Sequence, residues 1–225
     1  MPDTALATPV PPCRIVVVDD HPMVRERLAE VINRESDLRV CGEAEDRFQA
    51  LQVIQETQPD LVIVDLTLKN SSGLELIKDL QVMHAEVRIL VVSMQEESLY
   101  AERALRAGAQ GYITKQEATR NVLLAIRQVL AGEIYVSAAM ATKITSTLIG
   151  HQRVGSRGTI ASLADRELQV FELIGAGFST REIAEQLFLE VKTIETYRAR
   201  IKEKLLIKDA SELLRSAIGW RHRGS

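Results

Sequence analysis

The chain has 225 residues, of which 28 are basic and 31 acidic, and its formal net charge is −3. This length suits one large domain or two small ones, and its 46% hydrophobic and 26% charged residues exclude disorder as the main state. Its two cysteines exclude a disulfide framework, and no apolar run approaches the ~18 residues of a membrane span. Because the N-terminus also lacks the pattern of a signal peptide, we expect a cytoplasmic protein.

Short β-branched runs alternate with helical patterns over residues 14–132, after a proline-rich tail at 1–13 that we expect to be disordered. The predicted strands cover residues 15–18, 38–42, 61–64, 89–92 and 111–114. Helical patterns follow them, beginning at Pro22, near Phe48, near Leu74, near Glu97 and at Val122. Strands that alternate with helices of ~10–15 residues indicate βαβ units, and right-handed crossovers give an α/β fold with a doubly wound, five-stranded parallel sheet.

The alternation of strands and helices stops after Gly132. Residues 137–148 fit a linker helix, and residues 151–158 are typical of an exposed hinge. From Ala161 onward every pattern is helical. We therefore predict a sheet domain over 14–132, a linker helix and hinge over 133–160, and a small all-α domain over 161–225.

The charge is distributed unevenly between the two predicted domains. Residues 14–132 carry 14 basic and 19 acidic side chains, a net charge of −5, whereas residues 161–225 carry 11 basic and 10 acidic ones, a net charge of +1. Within residues 192–208 there are six basic and two acidic side chains, a net charge of +4. The overall net charge therefore does not exclude a partner such as nucleic acid, because the basic residues are concentrated in one late helix and its flank.

Polar side chains occupy the carboxyl ends of several predicted strands. Asp19 and Asp20 follow the first strand, Asp65 the third, Ser93 the fourth and Lys115 the fifth. In open parallel sheets, ligands bind beyond these strand ends. Neighbouring carboxylates repel one another unless a cation offsets them, and Mg²⁺ suits an all-oxygen site that meets a phosphate. A metal, an ammonium group and a hydroxyl are the groups needed to receive a phosphoryl group on a carboxylate.

The all-α domain contains two short helices joined by a brief turn. Residues 179–182 read Ser-Thr-Arg-Glu, which predicts a capping box at the start of the first of these helices. In the second helix Ile194, Tyr197, Ile201 and Leu205 form an apolar stripe opposite a polar, basic face. This combination is typical of a helix-turn-helix.

The sheet domain resembles the receiver domain of two-component response regulators. The resemblance is carried by Val-Val-Asp-Asp-His at 17–21, Asp65, Ser93 and Gly-Tyr-Ile-Thr-Lys at 111–115. It implies a flavodoxin-like fold in which Asp65 accepts a phosphoryl group from a sensor histidine kinase. It implies that Asp20, Asp65 and the Thr67 carbonyl bind Mg²⁺, with Asp19 acting through water. It also implies that Lys115 contacts the phosphoryl group. Ser93 and Tyr112 are implied to form a switch pair that turns inward.

The helical domain resembles the LuxR-type helix-turn-helix, through Leu-x-x-Arg-Glu at 163–167, Ser-Thr-Arg-Glu-Ile-Ala at 179–184 and Val-Lys-Thr-Ile-Glu at 191–195. The whole chain thus resembles a response regulator of the NarL/FixJ type. The resemblance implies binding to promoter DNA and a homodimer on phosphorylation, with Leu213, Leu214 and Ala217 in the dimer contact. The residues that it places at base edges are Glu195, Thr196 and Ala199, and those near phosphates are Thr180, Lys192, Thr193, Arg200 and Lys208.

Three hypotheses follow for function. The first is a phosphorylation-dependent transcription regulator that is not an enzyme beyond the phosphorylation and dephosphorylation of its own Asp65. The second is a Mg²⁺-dependent phosphohydrolase with Asp65 as nucleophile, although Thr67 stands where haloacid-dehalogenase-type enzymes have a second Asp. The third is a constitutive DNA-binding protein with a silent receiver, which the complete set of strand-end residues disfavours.

Overall fold

The structure, a computed structural model, describes residues 11–69, 71–149 and 158–221. Of these residues, those up to Met94 together with Ala104–Val136 belong to one compact unit, and Gln95–Arg103 with the described residues from Ser137 onward belong to a second. Most of the predicted tail and all of the predicted hinge except Gly158 lie outside the described residues. Among those residues, no helix combines the length and the apolar character that a membrane span requires.

The first unit contains a parallel sheet, as the alternating pattern predicts. In chain order the strands are β1 (Cys13–Val18), β2 (Leu38–Ala44), β3 (Leu61–Val64), β4 (Thr67–Leu68), β5 (Ser71–Ser72), β6 (Arg88–Ser93) and β7 (Gly111–Thr114). Within the described ranges, five of them form the parallel sheet in the order β2-β1-β3-β6-β7, while β4 and β5 form a separate antiparallel pair. The central strands are almost wholly apolar because helices cover both faces of such a sheet. The predicted doubly wound α/β fold is confirmed.

The helices that follow these strands are α1 (Pro22–Asn33), α2 (Arg47–Thr57), α3 (Gly73–Met83), α4 (Glu97–Ala107) and α5 (Lys115–Leu130). The start of α5 differs from the prediction, which placed it at Val122. Thr114 is the N-cap of α5, and its side chain accepts a hydrogen bond from the backbone N–H of Glu117 at 3.3 Å. The first turns of α5 are polar, so they carry no apolar periodicity that would predict them from the sequence.

The second unit consists of helices, together with the first part of α4. Its further helices are α6 (Ala138–Ile149), α7 (Asp165–Gly175), α8 (Thr180–Leu187), α9 (Val191–Leu205) and α10 (Ala210–Arg221), with a 3₁₀ turn at Ile160–Ser162. Apolar side chains of α7, α8, α9 and α10 make its core, the fully buried ones including Leu168, Phe171, Ile183, Ile194, Ile201 and Leu213. The predicted all-α second domain is therefore confirmed.

Helices α7 and α10 pack closely against each other. A Cβ added at Gly175 of α7 would lie 2.6 Å from the carbonyl oxygen of Ala217, so only glycine permits this approach. Leu213 and Ala217 are fully buried in this packing, whereas Leu214 is 42% exposed. The expectation that Leu213 and Ala217 lie in a dimer contact is wrong, because apolar periodicity does not distinguish burial inside a protomer from burial between two protomers.

Candidate functional site

The sheet order brings the predicted carboxylates together. Strand β1 pairs with β3 so that Val18 lies opposite Val64, and Asp19 and Asp65 therefore leave the sheet side by side. Both side chains are buried, at 2% and 3% exposure. Nζ of Lys115 lies 2.6 Å from Oδ2 of Asp19 and 2.7 Å from Oδ2 of Asp65, so one ammonium group offsets both buried charges.

The carboxylate of Asp65 is held at both oxygens. Its Oδ2 accepts from Lys115, while its Oδ1 accepts from the hydroxyl of Ser93 at 2.7 Å and from the backbone N–H of Thr67 at 3.3 Å. Burial raises the pKa of Asp65, and the hydrogen bonds from Lys115 and Ser93 act in the opposite direction. For Lys115, burial acts to lower the pKa, but the hydrogen bonds to Asp19 and Asp65 outweigh this effect, so the pKa of Lys115 is raised overall.

The surroundings of Asp20 indicate whether the acidic cluster can bind a metal ion. Its Oδ1 is shielded from solvent and accepts no well-formed hydrogen bond from the residues that the structure describes, although Nδ1 of His21 lies 2.6 Å away. A shielded carboxylate oxygen needs a positive charge or a hydrogen-bond donor, which a bound cation, a water molecule or a neighbouring imidazole can supply. The acidic cluster of Asp19, Asp20 and Asp65 therefore fits a divalent cation. Oxygen donors are the ligands that Mg²⁺ prefers.

His21 reaches the same cluster, which the sequence did not indicate. It is the N-cap residue of α1. Its Nδ1 also lies 2.6 Å from Oδ1 of Asp20 and 3.3 Å from Oδ1 of Asp19. The potential ligand atoms of these three residues and Asp65 all lie within 4.8 Å of one another.

The two predicted switch residues both lie inward. Ser93 is fully buried and bonded to Asp65, and the ring of Tyr112 is also fully buried. The backbone N–H of Tyr112 donates to the carbonyl of Tyr135 at 2.7 Å, and Tyr135 forms a parallel bridge with Gly111. This edge contact was not predicted, since a single bridging residue leaves no strand pattern in the sequence.

Gly73 is a second residue of the site that the sequence analysis missed. A Cβ added at Gly73 would lie 2.0 Å from the carbonyl oxygen of Asp65 and 2.7 Å from the Cα of Leu66. Both atoms belong to the backbone and cannot rotate away. The first turn of α3 thus packs directly against the chain that carries Asp65. A glycine that follows a strand by several residues is the only sequence signal for this contact.

In the second unit, α8 begins with the predicted capping box. The hydroxyl of Ser179 accepts from the backbone N–H of Glu182 at 3.3 Å, and the carboxylate of Glu182 accepts from the backbone N–H of Ser179 at 2.7 Å. Phe188 ends the helix in the left-handed conformation, with φ of 55°, which starts the turn into α9. Glu190 is the N-cap of α9, but its side chain makes no cap hydrogen bond to the described residues.

The predicted DNA-binding residues lie mainly on the outer side of α9. Ile194 and Ile201 are buried, and helical spacing places the polar positions on the opposite face. The exposed members of the predicted set are Lys192, Glu195, Thr196, Ala199, Arg200 and Lys208, and the partly buried ones are Thr180 and Thr193. The hydroxyl of Thr196 donates to the carbonyl of Lys192 at 3.0 Å.

Comparison with known proteins agrees with both halves of this description. Residues 15–127 match the family model of the response regulator receiver domain, and residues 161–217 match that of the bacterial regulatory proteins of the luxR family. The chain belongs to the NarL/FixJ-type response regulators. It is a phosphorylation-dependent, DNA-binding transcription regulator of a two-component system.

Individual relatives resemble this response regulator over most of its length. The oxygen regulatory protein NreC of Staphylococcus haemolyticus is 34% identical over 209 residues, which cover 91% of this chain and 96% of NreC. A LuxR-family response regulator from Aurantimonas sp. SI85-9A1 is 36% identical, with a TM-score of 0.57 over 62% of this chain and 99% of that one. RcsB of Salmonella enterica serovar Typhimurium, solved on the promoter rprA with phosphomimetic BeF₃⁻, shares the fold at 22% identity and a TM-score of 0.65, over 91% of this chain and 97% of that one.

Proposed function

We propose that Asp65 is the phosphoacceptor and that a sensor histidine kinase is the donor. The observation that carries this proposal is the buried carboxylate of Asp65, held between Lys115 and Ser93 and next to the solvent-shielded oxygen of Asp20. A carboxylate oxygen of Asp65 attacks the phosphorus of the phosphohistidine. The P–N bond breaks as the new P–O bond forms, and the imidazole of the kinase leaves.

Mg²⁺ is the cation that we assign to the acidic cluster. Asp20, Asp65 and the backbone carbonyl of Thr67 would hold it, with Asp19 acting through water. The ion supplies positive charge against the phosphoryl oxygens. Lys115, which offsets two carboxylates in the unphosphorylated chain, then contacts the phosphoryl group as well.

Ser93 and Tyr112 are proposed to transmit the change. The hydroxyl of Ser93 donates to Asp65 at 2.7 Å, so it is within reach of the oxygens of a phosphoryl group attached to that carboxylate. The new negative charge at Asp65 favours the state in which this hydroxyl turns toward the phosphoryl group and Tyr112 stays inward. Phosphorylation in turn favours release and homodimerisation of the DNA-binding domain.

The DNA-binding domain, which we assign to residues 161–225, reads promoter DNA through α9. Exposed side chains on the outer face of α9 suit the major groove, which admits a helix. Glu195 accepts from a cytosine amino group, and the methyl groups of Thr196 and Ala199 face thymine. The residues assigned to phosphates are Thr180, Lys192, Thr193, Arg200 and Lys208. We assign the receiver to residues 14–132 and the linker between the two domains to residues 133–160. We place the protein in the cytoplasm, without a membrane partner.

Comparison of the wild type with Asp65→Asn tests this function. Each full-length protein is treated with Mg²⁺ and BeF₃⁻, and its affinity for promoter duplexes is measured with and without the treatment. We expect tighter binding for the wild type and for the matched control Glu86→Gln, which changes an exposed carboxylate of the same unit, and no change for Asp65→Asn. Equal affinity of the treated and untreated wild type would contradict the switch.

The phosphohydrolase alternative makes a different prediction. The backbone N–H of Thr67 is bonded to Asp65, and the Thr67 side chain offers no carboxyl group as a general acid. We therefore expect one phosphoryl group per chain from a small phosphodonor, followed by slow loss. Sustained turnover of phosphate monoesters would favour the enzyme instead.

A further inference from the structure

Glu167 is a buried acidic residue in the DNA-binding domain to which the proposed function gives no role. It lies on the first turn of α7 and is only 3% exposed. Its Oε2 accepts a hydrogen bond from the backbone N–H of Ala164 at 2.8 Å and lies 2.6 Å from Nζ of Lys204. A buried carboxylate needs such partners, because desolvation of a charge without them is expensive.

The contact with Ala164 accounts for only one part of this arrangement. Ala164 is the N-cap of α7, and the carboxylate of Glu167 satisfies its backbone N–H. A neutral glutamine would serve that purpose equally well, since its amide oxygen also accepts a hydrogen bond. The negative charge of Glu167 is therefore explained by the ion pair with its second partner, Lys204.

Lys204 lies on the last turn of α9, the helix assigned to base reading. Its ammonium group is bonded to Glu167, and its backbone carbonyl accepts from the N–H of Gly158 at 2.8 Å. The side chain of Lys204 is 38% exposed, but its ammonium group is held by Glu167, whereas Lys192 and Arg200 are exposed on the outer side of α9. Although Lys204 adds to the positive charge of residues 192–208, that charge is directed toward α7.

Apolar side chains also attach α9 to the core. Its fully buried residues are Ile194 and Ile201, two turns apart on the same stripe. Apolar contacts are not directional, so they resist separation of the helices more than rotation or sliding of one along the other. The ion pair at the C-terminal turn of α9 joins one pair of atoms, Nζ of Lys204 and Oε2 of Glu167, in a 2.6 Å hydrogen bond that weakens when its geometry changes. It therefore restricts the orientation of the outer face.

We propose that Glu167 is a positioning residue for DNA recognition. Through Lys204 it sets the orientation of α9 on α7, and it withdraws the charge of Lys204 from contact with DNA phosphates. This inference rests on the proposed function, in which α9 enters the major groove.

Lys204→Met tests both parts of the proposal in the full-length, BeF₃⁻-treated protein. The specific probe is a duplex selected by the wild type from a random-sequence pool, and the non-specific probe is poly(dI-dC). We expect the ratio of specific to non-specific affinity to fall by roughly tenfold, because the orientation of α9 is no longer set. The slope of log affinity against log salt is expected to stay unchanged, whereas loss of a phosphate contact lowers it by about 0.9.

Four further variants complete the test. Lys204→Arg retains the ion pair and should keep the wild-type ratio. Glu167→Gln retains the contact with Ala164 and should lower the ratio as Lys204→Met does, and the double variant should be no worse than either single one. Lys192→Met, at an assigned phosphate contact, should lower the salt slope by about 0.9 without this loss of ratio.

Each possible outcome separates positioning from a purely structural role. A lower melting temperature with an unchanged affinity ratio for both single variants would overturn the proposal, as would a reduced salt slope for Lys204→Met. If Glu167→Gln does not fold, Lys204→Met with its Arg control still decides the question. A random pool from which the wild type selects no sequence would contradict the proposed function itself, whereas an unchanged ratio contradicts only the role of Glu167.

Discussion

Replacement of Glu172 by glutamine should stabilise the second unit at alkaline pH. Burial raises the pKa of Glu172, on α7, to about 7 from its ordinary 4.5, although a hydrogen bond from Tyr100 and the charge of Arg103 act to lower it. Arg103 also pairs with Asp165 at 3.0 Å, so its charge is shared. Since the pKa is raised on folding, the native state holds a proton that the unfolded state has lost between pH 4.5 and 7. Stability therefore falls as the pH rises through this window.

The size of the effect follows from the two pKa values. At about 1.4 kcal/mol per pKa unit, the interval between 4.5 and about 7 corresponds to about 3 kcal/mol of stability lost above pH 7. Glu172→Gln stays neutral and avoids this loss. We expect it to match the wild type near pH 4.5 and to exceed it by up to about 3 kcal/mol near pH 8.5.

The assay is urea unfolding of the full-length chain at several pH values, followed by circular dichroism. The matched control is Glu185→Gln on α8, because Glu185 is an exposed glutamate of the same unit. Its stability should follow the pH profile of the wild type. Parallel profiles for the wild type and Glu172→Gln would refute the reasoning, since they would mean that Glu172 is not held protonated in the native state.

Three other substitutions test the two sites. Gly73→Ala adds a methyl group 2.0 Å from the carbonyl oxygen of Asp65 and should abolish phosphorylation on a phosphate-affinity gel; normal phosphorylation would show that the loop yields easily. Lys115→Met removes the ammonium group that offsets the buried Asp19 and Asp65, so it should lower the unfolding free energy, measured by thermal melting, by about 3–5 kcal/mol. Mg²⁺ should restore part of this stability, and an unchanged melting temperature would contradict this account. Ser179→Ala removes the cap of α8 and should lower the unfolding free energy in urea by about 1 kcal/mol, whereas Ser179→Asp should retain it.

Local patterns were sufficient to predict most of the fold. The β-branched runs of the sheet and the apolar stripe of α9 each lie within one element, and burial on one or both faces leaves a direct trace in the residue order. Element ends were less predictable where polar residues govern them. The early start of α5 depends on the side chain of Thr114, which caps a turn without any apolar periodicity.

The charged residues of the candidate phosphorylation site were predictable for a similar reason. Asp19, Asp65 and Lys115 each follow a recognisable strand, and parallel strands place their carboxyl ends at one edge. Their distances of 2.6 and 2.7 Å required the pairing of β1 with β3. Gly73 could not be assigned from the sequence, because its contact is with backbone atoms that carry no residue-specific signal.

The amino-acid order was enough to establish the two-domain organisation, the family and the residues to which the phosphorylation and DNA-binding roles are assigned. The two-domain organisation depends on composition and periodicity, whereas the family and the assigned residues depend on short motifs that resemble those of response regulators. Folding was needed to pair Glu167 with Lys204 and to bury Leu213 inside the protomer. These contacts join separate helices, and the choice of partner depends on how the helices pack rather than on spacing along the chain.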